Sequence, residues 1–259
     1  MQLRTEFGQY RLFLPSTTTR MTNPLILKLE QRDQLSDEEK RALENAIARV
    51  RVVEADEDIV REGDRPNESS LLLDGFAARY KIVSNGRRQI SALHVAGDFL
   101  DLHSFLLKTM DHGVLALTTC RIATVPHATL EKITDEFPHL TRLLWLNTLI
   151  DGAIHREWLT AMGRLSATAH MAHLICELYL RLKVVGRAEG DSVQLPITQA
   201  ELGDTLGLST VHVNRVLQEL RKEGLIRFQG DALTILDWER LKKVGEFTST
   251  YLSLQNEDR

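Results

Sequence analysis

The chain has 259 residues, 43% hydrophobic and 26% charged, an ordinary balance for a soluble globular protein with room for more than one domain. Its formal net charge of -4 at pH 7 argues against a protein that coats nucleic acid with its whole surface, but leaves room for one small reading head on an acidic body. Two distant cysteines, Cys120 and Cys176, give no disulfide framework, no apolar run approaches membrane length, and the N-terminus lacks the continuous apolar core of a secretory leader, so the expected compartment is the cytoplasm, with no membrane partner.

Residues 1–24 show no period, and Pro15, Ser16 and Pro24 mark them as a loosely ordered arm. Met21 would make a natural beginning, so the first twenty residues are expected to be dispensable or an upstream mis-assigned start. Ser36 with Glu39 forms a capping box, and Leu43, Ile47 and Val50 give the following helix, over about 36–49, one apolar face. From Val50 to Val125 short apolar runs alternate with turn signals such as Glu62-Gly63-Asp64, Asp74-Gly75, Asn85-Gly86 and Gly97-Asp98. The pieces between them, Ser70–Leu73, Phe76–Val83, Gln89–His94 and Arg121–Val125, read as strands of an antiparallel roll or sandwich. The roll domain is set at 25–134.

Asp135-Glu136-Phe137-Pro138 reads as the start of a long helix over 135–165. Along it Leu140, Leu143, Asn147, Ile150, Ile154, Trp158, Ala161 and Leu165 recur in steps of three and four. A stripe this long suggests a parallel dimer seam, with Asn147 fixing its register; the plainer alternative is a helix packed on the roll. Residues 167–185 form another apolar helix in which Cys176 is a small core residue. A polar loop, a short strand at Val193–Leu195, the reading head and a last helix capped by Asp237 complete a third unit, 166–259, whose final residues are expected to fray.

The reading head spans Ile197 to Leu236. Thr198 and Glu201 form a capping box, Leu202 and Leu206 give the first helix its buried stripe, and Gly207 can take the left-handed angle that ends it. Ser209 then caps a second helix, whose Val213, Val216, Leu217 and Leu220 should face inward. Its other face carries Thr210, Val211, His212, Asn214, Arg215 and Gln218. Arginine suits the guanine edge, and asparagine or glutamine suits adenine. Lys222 and Arg227 suit phosphates, and Gln229-Gly230-Asp231 turns the hairpin that follows. The order of helix, turn, helix and hairpin is that of a winged helix-turn-helix binding double-stranded DNA.

The whole order resembles the Crp/Fnr family of bacterial transcription regulators. The resemblance rests on Val60-Arg61-Glu62-Gly63-Asp64, Leu73-Asp74-Gly75-Phe76-Ala77, the Ala96–Phe99 run, the Thr198–Ser209 segment and Asp237-Trp238-Glu239-Arg240-Leu241, the last like the proteobacterial branch. It implies an α+β fold: an N-terminal antiparallel β-roll like a cyclic-nucleotide-binding jelly roll, a long dimerisation helix and a C-terminal winged helix-turn-helix. It also implies a homodimer on a palindromic operator, with Arg215 in the major groove and RNA polymerase as partner if the protein activates. Thr210 and Val211 stand where many members carry an arginine and a glutamate.

Cyclic-nucleotide binders of the family hold the ribose with a glutamate and the phosphate with an arginine. The corresponding stretch here, 101–117, contains neither, so cyclic AMP is not expected. Iron-sulfur members carry cysteines near the N-terminus, whereas none precedes Cys120 here. Haem stays open, since His94, His103 and His112 are conceivable ligands with Asp98, Asp101 and Asp111 nearby, but their spacing makes no recognised metal set. The sequence therefore reads as a DNA-binding regulator without an assigned cofactor. The alternatives are a ligand-, haem- or redox-gated regulator, with Cys120 as the redox group. A cupin-like enzyme would need convergent histidines and a carboxylate, or a nucleophile and base, and the sequence offers no such set.

Overall fold

The structure is a computed structural model that describes residues 23–258. The arm over 1–24, apart from its last two residues, and the Met21 start therefore lie outside the described residues. Pro24 opens α1 (Pro24–Glu30), with Asn23 accepting a hydrogen bond from the Leu25 amide. Helix α2 (Asp37–Asn45) begins with the expected capping box: Ser36 Oγ accepts from the Glu39 amide and Glu39 accepts from the Ser36 amide. It stops earlier than the sequence suggests. Val50 is exposed and belongs to β1, because β-branched residues at alternate positions pair as a strand.

The roll comprises β1 (Arg49–Val53), β2 (Asp58–Val60), β3 (Glu68–Asp74), β4 (Ala77–Ile82), β5 (Arg88–His94), the short α3 (Ser104–Leu107), β6 (Gly113–Ala116) and β7 (Cys120–Pro126). Two antiparallel sheets result, in the orders β1-β7-β3 and β2-β6-β4-β5. Val53, Leu72 and Ile122 of one sheet share a buried cluster with Ile59, Ala77, Val114 and Ala116 of the other, which makes the roll's interior. The expected turn at Asn85-Gly86 joins β4 to β5, with Gly86 at φ +81°. Gly97 is needed for a different reason: a Cβ there would sit 2.7 Å from the Pro24 carbonyl oxygen, so α1 could not lie against the roll.

Two helices follow where the sequence suggested one. Helix α4 (His127–Glu136) ends with Asp135 and Glu136, and α5 (Pro138–Arg164) starts at Pro138. The acidic pair thus closes one helix instead of opening the next, and a domain cut at 134/135 falls inside α4. Helix α6 (Ala167–Val184) is capped by Ser166. Then come β8 (Ala188–Glu189), β9 (Ser192–Gln194), α7 (Gln199–Leu206), α8 (Thr210–Lys222), β10 (Ile226–Gln229), β11 (Ala232–Ile235) and α9 (Trp238–Val244), the last capped by Asp237 as expected.

One core runs from the roll's outer face into the reading head. Ile90 and Leu93 of β5, Ile150, Ile154 and Trp158 of α5, most of α6 and the inward residues of α7 and α8 all belong to it. The tail does not fray. Phe247 and Leu252 are buried in that core, and the Glu257 amide donates to the Arg32 carbonyl at 2.9 Å, which ties the C-terminus to α1. Polar composition alone hides this, because two apolar anchors suffice to order the intervening residues.

Candidate nucleic-acid interface and the roll's cleft

In the reading head Thr198 Oγ1 accepts from the Glu201 amide at 3.2 Å, and Glu201 accepts from the Thr198 amide at 2.6 Å. Gly207 ends α7 at φ +68°, and Ser209 Oγ accepts from the His212 amide at 3.3 Å to start α8. Val213, Val216, Leu217 and Leu220 are buried as the period requires. The β10–β11 hairpin pairs Gln229 with Ala232, which leaves Gly230-Asp231 as a two-residue loop at the wing's tip.

That packing leaves one face of α8 to solvent. Ser209, Thr210, Val211, Asn214, Arg215, Gln218 and Lys222 are exposed, His212 is half-buried, and Arg227 is exposed on the wing. No hydrogen bond or ion pair within the described residues holds the Arg215, Lys222 or Arg227 side chains, so each charge is available to a partner. The amides are less free. Asn214 donates to Gln199 Oε1 at 3.3 Å, and Gln218 donates to Asn214 Oδ1 at 3.4 Å. These are long, exposed bonds that a base edge can replace at little cost.

The stripe expected to form a dimer seam is not open to a partner. Leu140, Leu143, Asn147, Ile150, Ile154, Trp158 and Ala161 are all buried within their own protomer, and Leu165 is half-buried at the end of α5. Leu140 and Leu143 pack with α1, α2 and α4, while Ile150, Ile154 and Trp158 pack on the roll and α6. Asn147 lines a cleft in its own chain. The plainer alternative therefore holds for these residues, because the roll's outer sheet face needs the cover. The opposite side of α5 exposes Trp145, Leu149 and Leu159, the last at 74%.

The cleft lies between the roll and α5 and has a volume of about 500 Å³. Most of its charges come from scattered elements outside 101–117. Arg79 of β4 donates to Asp151 of α5 at 3.1 Å. Asp98 takes an ion pair from Lys28 at 2.6 Å and one from Arg181 at 2.7 Å. Burial alone would raise the Asp98 carboxyl, but Lys28 and Arg181 hold it well below the usual carboxylate range. Burial, then the Arg79 charge, lowers His103, and the same causes push His112 down to about 4. Both rings are therefore neutral at physiological pH. Lys108, the cation of the 101–117 segment, is exposed beside the Phe105 ring.

Neither cysteine looks outward. Burial pushes the Cys120 thiol up to about 11 and the Cys176 thiol up to about 12. A buried thiol in this state is a poor redox group, which weighs against the redox-gated alternative.

Comparison with known proteins bears on both regions. Residues 169–244 match the family model described as the Crp-like helix-turn-helix domain, and residues 50–137 match the cyclic nucleotide-binding domain. A probable transcriptional activator of Rhizobium leguminosarum bv. viciae is 30% identical over 179 residues, covering 69% of this chain and 73% of that protein. The chain belongs to the Crp/Fnr family. Another similar Crp/Fnr protein is the transcriptional activator protein FnrL of Cereibacter sphaeroides, 26% identical over 209 residues, with 79% of this chain and 84% of that one covered. Among solved structures, FixK2 from Bradyrhizobium japonicum superposes with a TM-score of 0.70 at 26% identity, over 76% of this chain and 97% of that one. As a Crp/Fnr member the chain is a transcription regulator with a helix-turn-helix DNA-binding domain, and not an enzyme. Among the described residues no helix is long and apolar enough to cross a membrane.

Proposed function

We propose that the protein acts as a homodimer that reads a palindromic operator with two copies of α8. The observation that carries this reading is the pair of unpartnered surfaces on one protomer: a recognition face with a free Arg215, and a mostly apolar stripe along the outer side of α5, interrupted by Arg156 and bordering the cleft at Gly152. Trp145, Leu149, Gly152, Arg156, Leu159 and Gly163 follow one another in steps of four and three. That spacing is the seam of a two-stranded coil, and the two small residues let backbones approach. A two-fold axis along the seam presents two reading heads to successive major grooves.

Within each half-site, Arg215 takes a guanine edge, and Asn214 or Gln218 takes adenine. Val211, 81% exposed, offers methyl groups to the thymine methyl. Ser209, Thr210 and His212 flank these contacts, while Lys222 and Arg227 meet phosphates. RNA polymerase is the further partner where the protein activates. The division of labour is a roll closed by α4, a pairing helix α5 (Pro138–Arg164) and a DNA-binding unit over 166–259.

Cyclic AMP is not the effector in this reading. Arg79, a cation of the cleft that could meet a phosphate, is already committed to Asp151, and 101–117 supplies no other arginine. The buried Cys120 and Cys176 offer no set of thiolates for an iron-sulfur cluster. A ligand-gated reading is favoured by one observation, the open cleft against α5, because whatever fills it would press on the pairing helix.

Selection of bound duplexes from a random pool, with no effector added, tests the proposal. An inverted repeat with half-site centres about one helical turn apart is expected. Arg215→Ala should then cost roughly 1–3 kcal/mol and relax one base pair, while Lys222→Ala weakens all sequences alike. Enrichment of single, unrepeated sites would reject the dimeric reading.

A further inference from the structure

His103, Asp111 and His112 come together at the cleft, the first from the middle and the other two from the end of the segment that links β5 to β6. One ligand atom from each lies within 4.8 Å of the other two. The histidine rings are 5.0 Å apart, centre to centre. His112 is 6% exposed, and its Nε2 has no hydrogen-bond partner; the buried Nε2 of His103 has none either. Leaving buried imidazole nitrogens unsatisfied is costly, so two at one spot call for an explanation.

We propose that His103, Asp111 and His112 form a site for a divalent transition-metal ion of the zinc or ferrous class. Two imidazoles and one carboxylate are the donor set such ions take, and a hard ion such as Mg²⁺ or Ca²⁺ would prefer an all-oxygen set. Asp111 Oδ1 lies 2.7 Å from His112 Nδ1. That contact places the ring proton on Nδ1 and leaves the Nε2 lone pair free for the ion, as a carboxylate commonly does behind a metal-binding histidine. To ligate the ion itself, Asp111 has to swing off Nδ1, because one carboxylate cannot both back this ring and reach an ion on its Nε2; its exposed side chain is open to that rotation.

In a tetrahedral site with bonds near 2.1 Å, ligand atoms stand about 3.4 Å apart. The trio therefore has to contract by on the order of one ångström, which the exposed Asp111 side chain and two ring torsions can supply. Arg79 would repel a cation, but Asp151 neutralises it at 3.1 Å. Asp111 reaches solvent, which gives the ion an entry path, and the cleft leaves room for water or another small ligand on the open coordination positions. The binding claim goes beyond the DNA-reading function and stands independently of it.

The test is a titration of Co²⁺ into the full chain after chelator treatment, read by the ion's visible ligand-field bands. One ion per protomer is expected, with bands unlike those of the hydrated ion. Competition with Zn²⁺ should abolish them. H103Q and H112Q should each weaken binding roughly a hundredfold or more, since even partners behind a ligand are worth 10–100-fold. Far-UV circular dichroism checks that these variants are folded. Should either fail to fold, crystals of the unmutated chain grown with Zn²⁺ decide the matter by anomalous scattering, with the peak expected between the two Nε2 atoms. No ligand-field change, unchanged affinity in a folded H103Q/H112Q double variant, or an anomalous peak elsewhere would overturn the site.

Discussion

Truncating Leu159 should split the dimer without harming the protomer, and truncating Ile154, five residues earlier on the same helix, should do the reverse. Leu159 is 74% exposed in the protomer, whereas Ile154 is 7% exposed. Burying a leucine fully contributes about 1.5–3 kcal/mol, so Leu159 has roughly 1–2 kcal/mol still to gain from a partner. A two-fold axis uses the contact twice, giving about 2–4 kcal/mol per dimer, of which alanine keeps a little through its Cβ. Leu159→Ala should therefore raise the dimer dissociation constant by about 30- to 160-fold, equivalent to ~2–3 kcal/mol. Ile154→Ala should instead cost about 2–5 kcal/mol of protomer stability through a cavity between α5 and the roll. Sedimentation equilibrium reads the first effect and urea denaturation the second. The assignment of the two faces of α5 fails if Leu159→Ala leaves dimerisation unchanged while Ile154→Ala or Asn147→Ala weakens it at constant protomer stability.

Three other expectations come from the geometry. A Cβ at Gly203 would stand 2.6 Å from the Leu208 carbonyl oxygen. Gly203→Ala must therefore push α7 from the turn, with about 1–3 kcal/mol lost in denaturant melts and weaker operator binding; wild-type stability would contradict the turn geometry. His139 lies with Nδ1 2.7 Å from Glu39 and Nε2 3.1 Å from Asp33. Burial alone would lower its pKa, but the two carboxylates raise it above the ordinary 6.5. A raised pKa means the stabilisation is complete below 6.5 and fades as pH climbs through the folded value. The stability gap between wild type and His139→Gln should thus be widest in mild acid and narrow above neutrality; a gap that widens with pH would sink this account. Finally, Cys120 and Cys176 should resist a thiol reagent in the native protein and react together on unfolding. Rapid native labelling of Cys120 would revive the redox-gated alternative.

Local signals in the chain were enough for the reading head. The capping boxes at Thr198 and Ser36, the left-handed Gly207, the Ser209 cap and the hairpin at Gly230-Asp231 all work over three or four residues, so their chemistry is written in adjacent letters. Four strands of the roll, β3, β4, β5 and β7, were legible for the same reason, as turns and alternation are local, whereas β1, β2 and β6 were not named by any local signal. The stripe along α5 was also visible, but its partner was not. Period fixes that a helix has an apolar side, whereas which body covers that side is decided by the whole chain, and here the roll and α6 take it. Trp145, Leu149 and Leu159 stand out only once the other face is filled. The cleft shows the same limit more sharply. Arg79, Asp98, Asp151 and Arg181 are as much as 102 residues apart in sequence, and nothing in their spacing announces a meeting. Even His103 and Asp111-His112, eight and nine residues apart, converge because the segment from α3 to β6 folds back on itself. Periodicity and capping thus determined the elements and the reading surface, while long-range packing alone decided which face of α5 stays exposed and what the cleft contains.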